Sequence, residues 1–386
     1  MLRVTLRTVT TIAKRALGFL QRARGVQREA GVAVRDQVSD FRFFHRVIGI
    51  SPMEFHRYRL WDRSRPIEAR LAFLSHTEQR RIEFAINPPL AVAALNDKAA
   101  AALRLAQAGI RVPHTLGHLE LSPNAANDRQ LADVTTSLQL LLEHAPPSGI
   151  VLKPNRGQGG YRVLVYRHAT RTHLTSLDGS VVPVEELAKL LLQSSTGRWN
   201  VESRLLTHSS LLRFAPLAIP SMRVLTFRSP TGELLLGPAS LKLPLGTSGV
   251  DNFGSGNLAS SVDLLTGRVG AAVTLDGERQ IVAHPTTGEP LGTLLLPDLA
   301  EALALVRAAA NELAELPLLG WDVAFSSDGP VILEGNAWAG VDILQMPRDA
   351  GLVRGRFAEL LELHGLGELI GRREQAAAEW RRNHSK

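Results

Sequence analysis

Three oxygen-bearing side chains in the last quarter of the sequence have types and spacing suited to binding a cation. Asp322 lies in one apolar run, Glu334 and Asn336 lie in the next, and an Asp-Gly turn separates the two runs at residues 326–330. Such a turn predicts a β-hairpin, whose pairing brings Asp322 opposite Leu333 or Glu334. Because side chains alternate between the faces of a strand, Glu334 and Asn336 share one face.

All-oxygen ligation of this kind is typical of Mg²⁺ that also binds phosphates. Two carboxylates at this separation repel each other unless a cation or a proton lies between them. The alternative is a solvated face beside the turn, but it leaves Glu334 and Asn336 in an otherwise apolar strand unexplained. We therefore predict that Asp322, Glu334 and Asn336 bind Mg²⁺, with Mn²⁺ as a second candidate ion.

A second candidate site is a glycine-rich loop with Gly157, Gly159 and Gly160, which joins two aliphatic runs within residues 150–166. Both runs predict strands, so the loop differs from a P-loop, which leads into a helix. Glycines let backbone N–H groups approach phosphates closely, and Lys153 beside the loop would add a positive charge. A glycine-rich hairpin without a ligand is the alternative that this pattern leaves open.

Lysine is scarce in this chain, since six of the 44 cationic residues are Lys and the other 38 are Arg. A Lys beside residues suited to chemistry is therefore a candidate functional group, and Lys98 and Lys153 have such positions. Lys98 follows Asn96-Asp97 at the start of a predicted alanine-rich helix that ends at residues 108–109.

A single arginine, Arg223, interrupts the apolar run of residues 222–227. A buried cation needs an anion, and the sequence leaves open whether this is a bound phosphate or carboxylate or an internal ion pair. Downstream, residues 251–259 nearly match the dinucleotide-binding fingerprint, but polar residues and a turn follow where that fingerprint needs a helix. We reject the dinucleotide interpretation and keep a polar glycine loop for ligand contact as a candidate.

The composition excludes several classes of protein. The 386 residues contain no Cys, which removes disulfides, iron–sulfur clusters and cysteine nucleophiles. With 45% hydrophobic and 21% charged residues, the chain is typical of a soluble globular protein of about two to three domains. No uncharged apolar run reaches the length of about 18 residues that a transmembrane helix needs. Serine-hydrolase and zinc-protease motifs do not occur, and we assign none of the 12 His to zinc.

Residues 1–30 carry seven cationic residues against one acid, Glu29, so most of the net charge of +7 lies there. The rest of the chain is nearly neutral and has no nucleic-acid motif, so we expect no nucleic-acid partner. Apolar residues recur at helical spacing opposite a basic face, at Leu2, Leu6, Val9, Ile12, Ala16 and Leu20. Two interpretations stay open, a helix on a membrane surface or acidic partner and a helix that docks on its own domain.

Residues 40–96 mix aromatic residues and arginines at helical spacing, which favours a core face with long cationic side chains over base stacking. After residue 109, short strands alternate with helices, which predicts an α+β fold. The helices are expected near residues 130–143, 184–193 and 297–315. We divide the chain into a basic segment, a helical region, two α+β subdomains and a helical tail, at residues 1–39, 40–109, 110–205, 206–365 and 366–386.

The order and intervals of these motifs resemble the ATP-grasp fold, most closely the sugar-transfer-associated ATP-grasp family, which is similar to the alpha-L-glutamate ligases. The resemblance covers about residues 40–362. Its motifs are Asn96-Asp97-Lys98, Val151-Leu152-Lys153-Pro154, the Gly157/Gly159/Gly160 loop, Val201-Glu202-Ser203-Arg204-Leu205, Arg223, Asp251-Asn252-Phe253, and Gly320-Trp321-Asp322 with Glu334-Gly335-Asn336. It implies two α+β subdomains that hold ATP between them, preceded by a mainly helical N-terminal region.

For nucleotide binding, the resemblance implies phosphate contacts from two lysines and the glycine loop. These residues are Lys98, Lys153, Gly157, Gly159 and Gly160. Glu202 would meet the adenine amino group, and Leu205 would pack against the adenine ring. The resemblance implies Asp322, Glu334 and Asn336 as metal ligands, which are the residues that the hairpin pattern also suggests.

For catalysis, the resemblance implies that Arg223 stabilises the transferring phosphoryl group and that Asn252 and Gly256 contact the acceptor. Many relatives have a Gly-Gly pair where this chain has Gly256-Asn257. The implied activity is ligation, in which ATP phosphorylates a carboxylate and an amine attacks the acyl phosphate to give an amide. The implied acid is a sugar-linked compound, a glycan precursor or an amino acid, in a pathway such as polysaccharide biosynthesis.

Two other functions remain as alternatives, a kinase that phosphorylates a hydroxyl group and a nucleotide-binding module without turnover. The second is disfavoured because no metal ligand or phosphate-binding lysine is lost from the pattern. We expect a cytoplasmic protein, with residues 1–30 as a candidate contact to the inner face of the membrane.

Overall fold

The computed structural model describes residues 2–121, 128–157, 162–194, 197–246, 249 and 251–384, with side chains from residue 16 onward. The chain divides into two compact units. Unit 1 consists of Met1–Ile86, Phe227–Leu235 and Gly340–Lys386, and unit 2 consists of Asn87–Thr226 and Leu236–Ala339. The described residues form thirteen α-helices and two six-stranded sheets.

The helices are α1 (Leu2–Ala30), α2 (Val34–Ile48), α3 (Pro52–Arg57), α4 (Ile67–Leu71), α5 (His76–Ile86), α6 (Pro89–Leu95), α7 (Lys98–Gln107), α8 (Asp128–Leu142), α9 (Val184–Gln193), α10 (Leu299–Glu312), α11 (Val341–Gln345), α12 (Gly355–Leu363) and α13 (Gly367–His384). The strands are β1 (Thr115–Glu120), β2 (Ile150–Pro154), β3 (Leu164–Ala169), β4 (His173–Ser176), β5 (Val181–Pro183), β6 (Arg198–Ser203), β7 (Ser221–Arg228), β8 (Leu234–Leu243), β9 (Leu258–Val262), β10 (Val269–Val273), β11 (Leu318–Ser326) and β12 (Gly329–Asn336). Seven helices precede the first strand, so the predicted helical N-terminal region is confirmed. The three helices expected after residue 109 are α8, α9 and α10.

Unit 1 is mainly helical, and aromatic side chains surround a buried arginine in its core. Arg70 is 1% exposed, and its guanidinium carbon lies 4.8 Å from the ring centre of Phe44 and 4.9 Å from that of Trp380. Asp40 Oδ2 accepts a hydrogen bond of 2.8 Å from Arg70 Nη2, which gives the buried cation its counter-charge. The mixture of aromatic residues and arginines in residues 40–96 is therefore a core pattern, as predicted.

The first sheet lies in unit 2 and has the strand order β1-β6-β2-β3-β4-β5, with antiparallel pairing throughout. Leu138 of α8 and Leu187 of α9 are fully buried in the same apolar cluster as Leu152 and Trp199 of the sheet. The strands β2 and β3 form the predicted hairpin, and residues 158–161 of the loop between them lie outside the described residues.

The second sheet has the strand order β10-β9-β8-β7-β11-β12 and carries most of the candidate polar residues. All of β11 is buried, and α10 packs against β11 and β12. Together the helices and the two sheets confirm the predicted α+β class. Among the described helices, none combines the length and the apolar character needed to cross a membrane.

Candidate active site

The β11–β12 hairpin brings the predicted metal ligands together. Its register pairs Asp322 with Glu334 and Gly320 with Asn336. Of the two partners that the sequence left open for Asp322, Leu333 and Glu334, the structure shows Glu334. The register shifts after Asp322, as in a β-bulge, and bulges of this kind redirect side chains next to functional sites. Asn336 Nδ2 lies 3.5 Å from Asp322 Oδ2, so the three side chains form one polar patch on the hairpin.

Arg223 lies on β7, the strand next to β11, and pairs with Asp322. Its Nε donates to Asp322 Oδ1 at 2.7 Å, its Nη2 donates to Oδ2 at 2.9 Å, and its Nη1 donates to the carbonyl oxygen of Ala339. A two-point contact of this type fixes the plane of the guanidinium group. Of the two anions that the sequence left open for Arg223, the structure shows the internal one.

Gly320 leaves the space that Arg223 occupies. A Cβ atom at this position would lie 2.9 Å from Ala339 Cα and 3.1 Å from Arg223 Cδ. Because the first of these contacts is with backbone, a larger residue at position 320 would displace either the loop after β12 or the arginine. The glycine of the Gly320-Trp321-Asp322 motif therefore serves packing around the ion pair.

Sequence reasoning missed a second cation on Asp322. Lys242, on β8, is buried, and its Nζ lies 3.2 Å from Asp322 Oδ2 and 3.2 Å from Asp251 Oδ1. Asp251 also accepts a hydrogen bond from the hydroxyl of Ser221. The available signal was a lone Lys in an apolar strand of a chain that contains six lysines. The sequence marked both of its partners, Asp322 and Asp251, for other reasons, but not their contact with Lys242.

The charges of this network set the ionisation of its carboxylates. Burial raises the pKa of Asp322, but the adjacent Arg223 and Lys242 outweigh burial and hold the pKa well below its usual range. Burial likewise raises the pKa of Glu334, and the positive charge of Lys98 outweighs it, so that this pKa is lowered. Both hairpin carboxylates are therefore ionised at neutral pH.

The neighbouring pair of Asp251 and Lys242 differs from the hairpin carboxylates, because the pKa values of both its members are raised. Burial raises the pKa of Asp251, and Lys242 offsets this only in part. For Lys242, burial lowers the pKa, but Asp251 and Asp322 outweigh burial, and the pKa is raised. Lys242 therefore keeps its charge at neutral pH.

Lys98 is the first residue of α7, and its ammonium group pairs with Glu334 Oε2. Asp97 caps this helix, since its side chain accepts from the Ala100 N–H. Asn155, just after β2, holds the same turn from the other side, because its Oδ1 accepts from the Ala99 N–H and its Nδ2 donates to Asp97. The start of α7 is thus fixed to the end of β2, which carries Lys153.

Lys153 Nζ lies 2.9 Å from Glu202 Oε1 on the adjacent strand β6. Glu202 is buried, and Leu205, just after β6, is partly exposed. Lys153 also contributes to lowering the pKa of Glu334, behind the larger effects of burial and Lys98. Both predicted phosphate-binding lysines therefore act on the carboxylate of the hairpin.

Of the predicted glycine loop, the structure describes Gly157, whereas Gly159 and Gly160 lie outside the described residues. Gly157 has a φ of +147°, in a region that L side chains rarely adopt, and open space surrounds the position of a Cβ atom. A side chain at this position would be strained by its backbone conformation, which explains the glycine.

Asn252 and Gly256 lie in the turn before β9. The Asn252 side chain accepts from the Gly254 N–H at 3.2 Å and caps a short 3₁₀ helix over Phe253–Ser255. Gly256 ends this helix with a φ of +92°. Because a strand and not a long helix follows, the rejection of a dinucleotide fingerprint is confirmed. Asn252 adjoins Asp251 of the ion-pair network, whereas Leu205 and Gly256 take no part in its ion pairs.

The donor set of the hairpin fits a hard divalent cation. Asp322, Glu334 and Asn336 can offer oxygen ligands, and both carboxylates are held ionised, which suits Mg²⁺ and Mn²⁺. In the described parts of the chain, no group of three His, Cys, Asp or Glu side chains could hold a metal ion. A metal here would therefore need the Asn336 amide oxygen and oxygens from a bound phosphate in addition to the carboxylates.

Several solved structures resemble this chain at low identity. The alignment with an N5-carboxyaminoimidazole ribonucleotide synthetase in its ADP complex covers 64% of this chain and 45% of the synthetase chain, at 14% identity and a TM-score of 0.36. A D-alanyl-alanine synthetase from Vibrio cholerae aligns with 74% of this chain and 68% of its own, at 13% identity and a TM-score of 0.42. A D-cycloserine synthetase aligns with 76% of this chain and 82% of its own, at 16% identity and a TM-score of 0.42. The chain spans less than half the length of the first of these structures.

No curated protein matches the sequence. The family described as sugar-transfer associated ATP-grasp matches residues 78–359, which is well over half of the chain. The matched residues include Lys98, Lys153, Arg223 and the complete β11–β12 hairpin. The chain therefore belongs to the sugar-transfer associated ATP-grasp family, and its fold is the ATP-grasp fold that the motifs predicted.

Proposed function

We propose that the protein is an ATP-dependent carboxylate–amine ligase that forms an amide through an acyl phosphate. The observation that carries the proposal is the contact of Arg223 and Lys242 with one ionised carboxylate, Asp322, beside the Lys98 pair. Phosphoryl transfer depends on preorganised charges of this kind rather than on an enzyme nucleophile. The sequence contains no Cys, and membership of an ATP-grasp family supports ATP as the phosphoryl donor.

In the proposed first step, a carboxylate oxygen attacks the γ-phosphorus of ATP, the bond from this phosphorus to the bridging oxygen breaks, and ADP leaves. In the second step, the amine nitrogen attacks the acyl carbon, and the carbon–oxygen bond to phosphate breaks. Phosphate leaves with the electron pair, and the nitrogen loses a proton. The description of the family supports a sugar-linked or glycan-precursor acid as the first substrate.

On binding, the phosphates of the nucleotide would replace two carboxylates of the protein as the partners of two lysines. We assign Lys98 and Lys153 to the phosphates, since each ammonium group now lies against one carboxylate, Glu334 and Glu202 respectively. Once Lys153 turns to a phosphate, Glu202 can accept a hydrogen bond from the adenine amino group. Leu205, partly exposed beside it, would pack on the adenine ring, and the loop with Gly157, Gly159 and Gly160 would cover the phosphates.

The catalytic roles follow from the same network. Arg223 is held in a fixed plane by Asp322 and would stabilise the charge of the transferring phosphoryl group. Asp322, Glu334 and Asn336 would hold Mg²⁺ or Mn²⁺, which when bound supplies positive charge to phosphate oxygens. Asn252 and Gly256, in the turn that begins beside Asp251, would contact the acceptor substrate.

Trapping with hydroxylamine tests this function. The protein is incubated with ATP, Mg²⁺ and pools of sugar acids or amino acids, and ADP release is measured with and without hydroxylamine. A ligase forms a hydroxamate in amounts that match the ADP released, because hydroxylamine attacks the acyl phosphate. The Arg223→Gln variant serves as the control for activity that arises elsewhere. A stable phosphate ester without hydroxamate would show a kinase, and ATP binding without acid-dependent turnover would show a binding module.

A further inference from the structure

Asn155, just after β2, is a buried asparagine whose backbone and side chain both bind the start of α7. It is 4% exposed, and its N–H donates to the carbonyl oxygen of Arg198 at 2.9 Å. Its own carbonyl oxygen accepts from the Lys98 N–H at 3.3 Å. In the side chain, Oδ1 accepts from the Ala99 N–H at 2.9 Å and Nδ2 donates to Asp97 Oδ1 at 3.1 Å. One residue therefore links the end of β2 to the cap and to the first two residues of α7.

These bonds occupy the start of the helix. The Ala100 N–H donates to Asp97 Oδ1 at 3.1 Å, and the Ala101 N–H donates to the carbonyl oxygen of Asp97 at 2.9 Å. Together with the two bonds to Asn155, they give each of the first four N–H groups of α7 an acceptor within the protein. A phosphate contact from this helix therefore depends on the ammonium group of Lys98 and not on the N–H groups of the helix start.

A second buried asparagine holds Asn155 in place. Asn200, on β6, is 1% exposed, and its Nδ2 donates to Asn155 Oδ1 at 3.2 Å. Its Oδ1 accepts from His118 Nδ1, on β1, at 3.0 Å. The register of the sheet places Asn200 opposite Lys153 on one side and opposite His118 on the other. The sheet that carries Lys153 therefore also fixes the side chain of Asn155.

This network sets the spacing of the two lysines that we assign to the phosphates. Lys153 is two residues before Asn155, and Lys98 is the first residue of the helix that Asn155 holds. The phosphates of one nucleotide lie close together, so cations on a strand and on a helix serve them jointly only if the two elements keep a set distance. A buried polar network in which each amide has its partners gives that rigidity.

We propose that Asn155 is a positioning residue that acts through Lys98, holding the start of α7 so that Lys98 and Lys153 reach the phosphates of one nucleotide. Asn200 supports this role through its bond to Asn155. In this role Asn155 does not contact the nucleotide, since its polar groups already bind the protein. The inference rests on the proposed function, because it requires that Lys98 binds a phosphate.

A double-mutant cycle of Asn155→Ala and Lys98→Ala tests the role, with the ATP affinity of the full chain measured by isothermal calorimetry. Asn155→Ala alone should weaken ATP binding about tenfold, because a small misplacement of a binding group is costly. In the Lys98→Ala background the same change should alter the affinity by less than about twofold, because the group that Asn155 positions is then absent. A similar loss in both backgrounds would overturn the proposal.

Asn87→Ala is the matched control. Asn87 is 2% exposed, and its side chain also binds the backbone of another element, donating to the Leu318 carbonyl oxygen at 2.8 Å and accepting from the Leu318 N–H at 3.1 Å. Its loss should lower the melting temperature as Asn155→Ala does, because both changes leave buried backbone groups unpaired. ATP affinity should stay at the unmodified value. An equal loss of ATP affinity in the two Asn→Ala variants would mean general destabilisation and would also overturn the proposal.

A second variant keeps the test independent of the deletion. Asn155→Asp retains an oxygen that accepts from the Ala99 N–H but places a second carboxylate beside Asp97, so ATP binding should weaken again. Adding Asp97→Asn returns an amide donor beside a carboxylate, and asparagine caps a helix as well as aspartate does, so the affinity should recover to within about threefold. If the double variant regains the melting temperature but not the ATP affinity, the contact stabilises the fold without positioning Lys98, and the proposal is wrong.

Amide hydrogen exchange without nucleotide separates this inference from the proposed function. The N–H groups of Ala99 and Ala100 should exchange about tenfold faster or more in Asn155→Ala, and at the unmodified rate in Asn87→Ala. An unmodified chain that does not bind ATP would contradict the proposed function, and the inference with it. An unmodified chain that binds ATP, with the same exchange rates at Ala99 and Ala100 in Asn155→Ala, would contradict the inference alone.

Discussion

Arg223 and Lys242, on the neighbouring strands β7 and β8, both contact the carboxylate of Asp322. Lys242 shares its charge with Asp251, so two cations face two carboxylates in a buried cluster. A phosphoryl group that approaches these cations must therefore compete with carboxylates of the protein. A metal ion on Asp322 would relieve this competition, since its charge would replace that of the cations on the carboxylate.

Replacement of Lys153 or Lys98 by Ala should weaken ATP binding about a hundredfold, because each variant removes a main positive charge from the proposed phosphate site. Isothermal calorimetry measures the affinity, and Lys189→Ala, an exposed lysine of α9, is the control. Because Lys153→Ala leaves Glu202 buried without its cation, Lys153→Ala with Glu202→Gln should be measured as well. Unchanged ATP affinity in both single variants would contradict the assignment of these lysines.

Lys242→Met should lower the free energy of unfolding by about 3–5 kcal/mol, since it leaves Asp251 and Asp322 facing each other without the shared cation. Urea unfolding measures this effect. Adding Asp251→Asn should restore part of the loss, because one of the two opposed charges is then absent. In contrast, Lys189→Met removes an exposed pair and should change the free energy by less than about 1 kcal/mol. An equal, small effect of both Lys→Met changes would mean that Lys242 is not needed to balance the cluster.

The hairpin could be predicted closely from the sequence because local patterns determine it. The Asp-Gly turn fixes the pairing of the strands from the turn back to Val323, and it limits the partner of Asp322 to Leu333 or Glu334. The register shift after Asp322 then selects Glu334. The start of α7 was predictable for a similar reason, since Asp97 is a local helix cap. These features depend on residues within one turn or one hairpin.

The partners of the charged residues could not be predicted in the same way. Arg223 and Asp322 are 99 residues apart in the sequence. The alternation of side chains along β7 shows on which face of the strand Arg223 lies, but it does not show which anion Arg223 contacts. Lys242 was missed because its contact with Asp322 depends on the order of strands β8, β7 and β11 in the sheet. Long-range strand order is a property of the whole fold, and the resemblance to a family supplied what the local patterns lacked.

The lowered pKa of Glu334 predicts a loss of stability in acid. Because this pKa is lower in the folded state than in the unfolded chain, the ionised side chain stabilises the fold above the unfolded pKa of about 4.3. This contribution is lost as the pH falls from there through the folded pKa. The free energy of unfolding should therefore decrease less between neutral pH and acid in Glu334→Gln than in the unmodified protein. Glu185→Gln, on the exposed side of α9, should keep the unmodified dependence, and identical curves for all three proteins would contradict the prediction.

Asn336 allows the metal site to be tested without breaking an ion pair. Asn336→Ala removes one proposed ligand and leaves Arg223 with Asp322 and Lys98 with Glu334, so the fold should keep its melting temperature while Mg²⁺ affinity in the presence of ATP falls about tenfold or more. Asn336→Asp should act in the opposite direction on the metal, because a third carboxylate attracts a divalent cation more strongly. It should also lower the stability of the metal-free protein, since the new charge lies beside Asp322. Calorimetric titration of Mg²⁺ into the ATP complex measures both effects, with Asn311→Ala on α10 as the control. If Mg²⁺ affinity is the same in all four proteins, the cation binds elsewhere and the hairpin carboxylates serve only the ion-pair network.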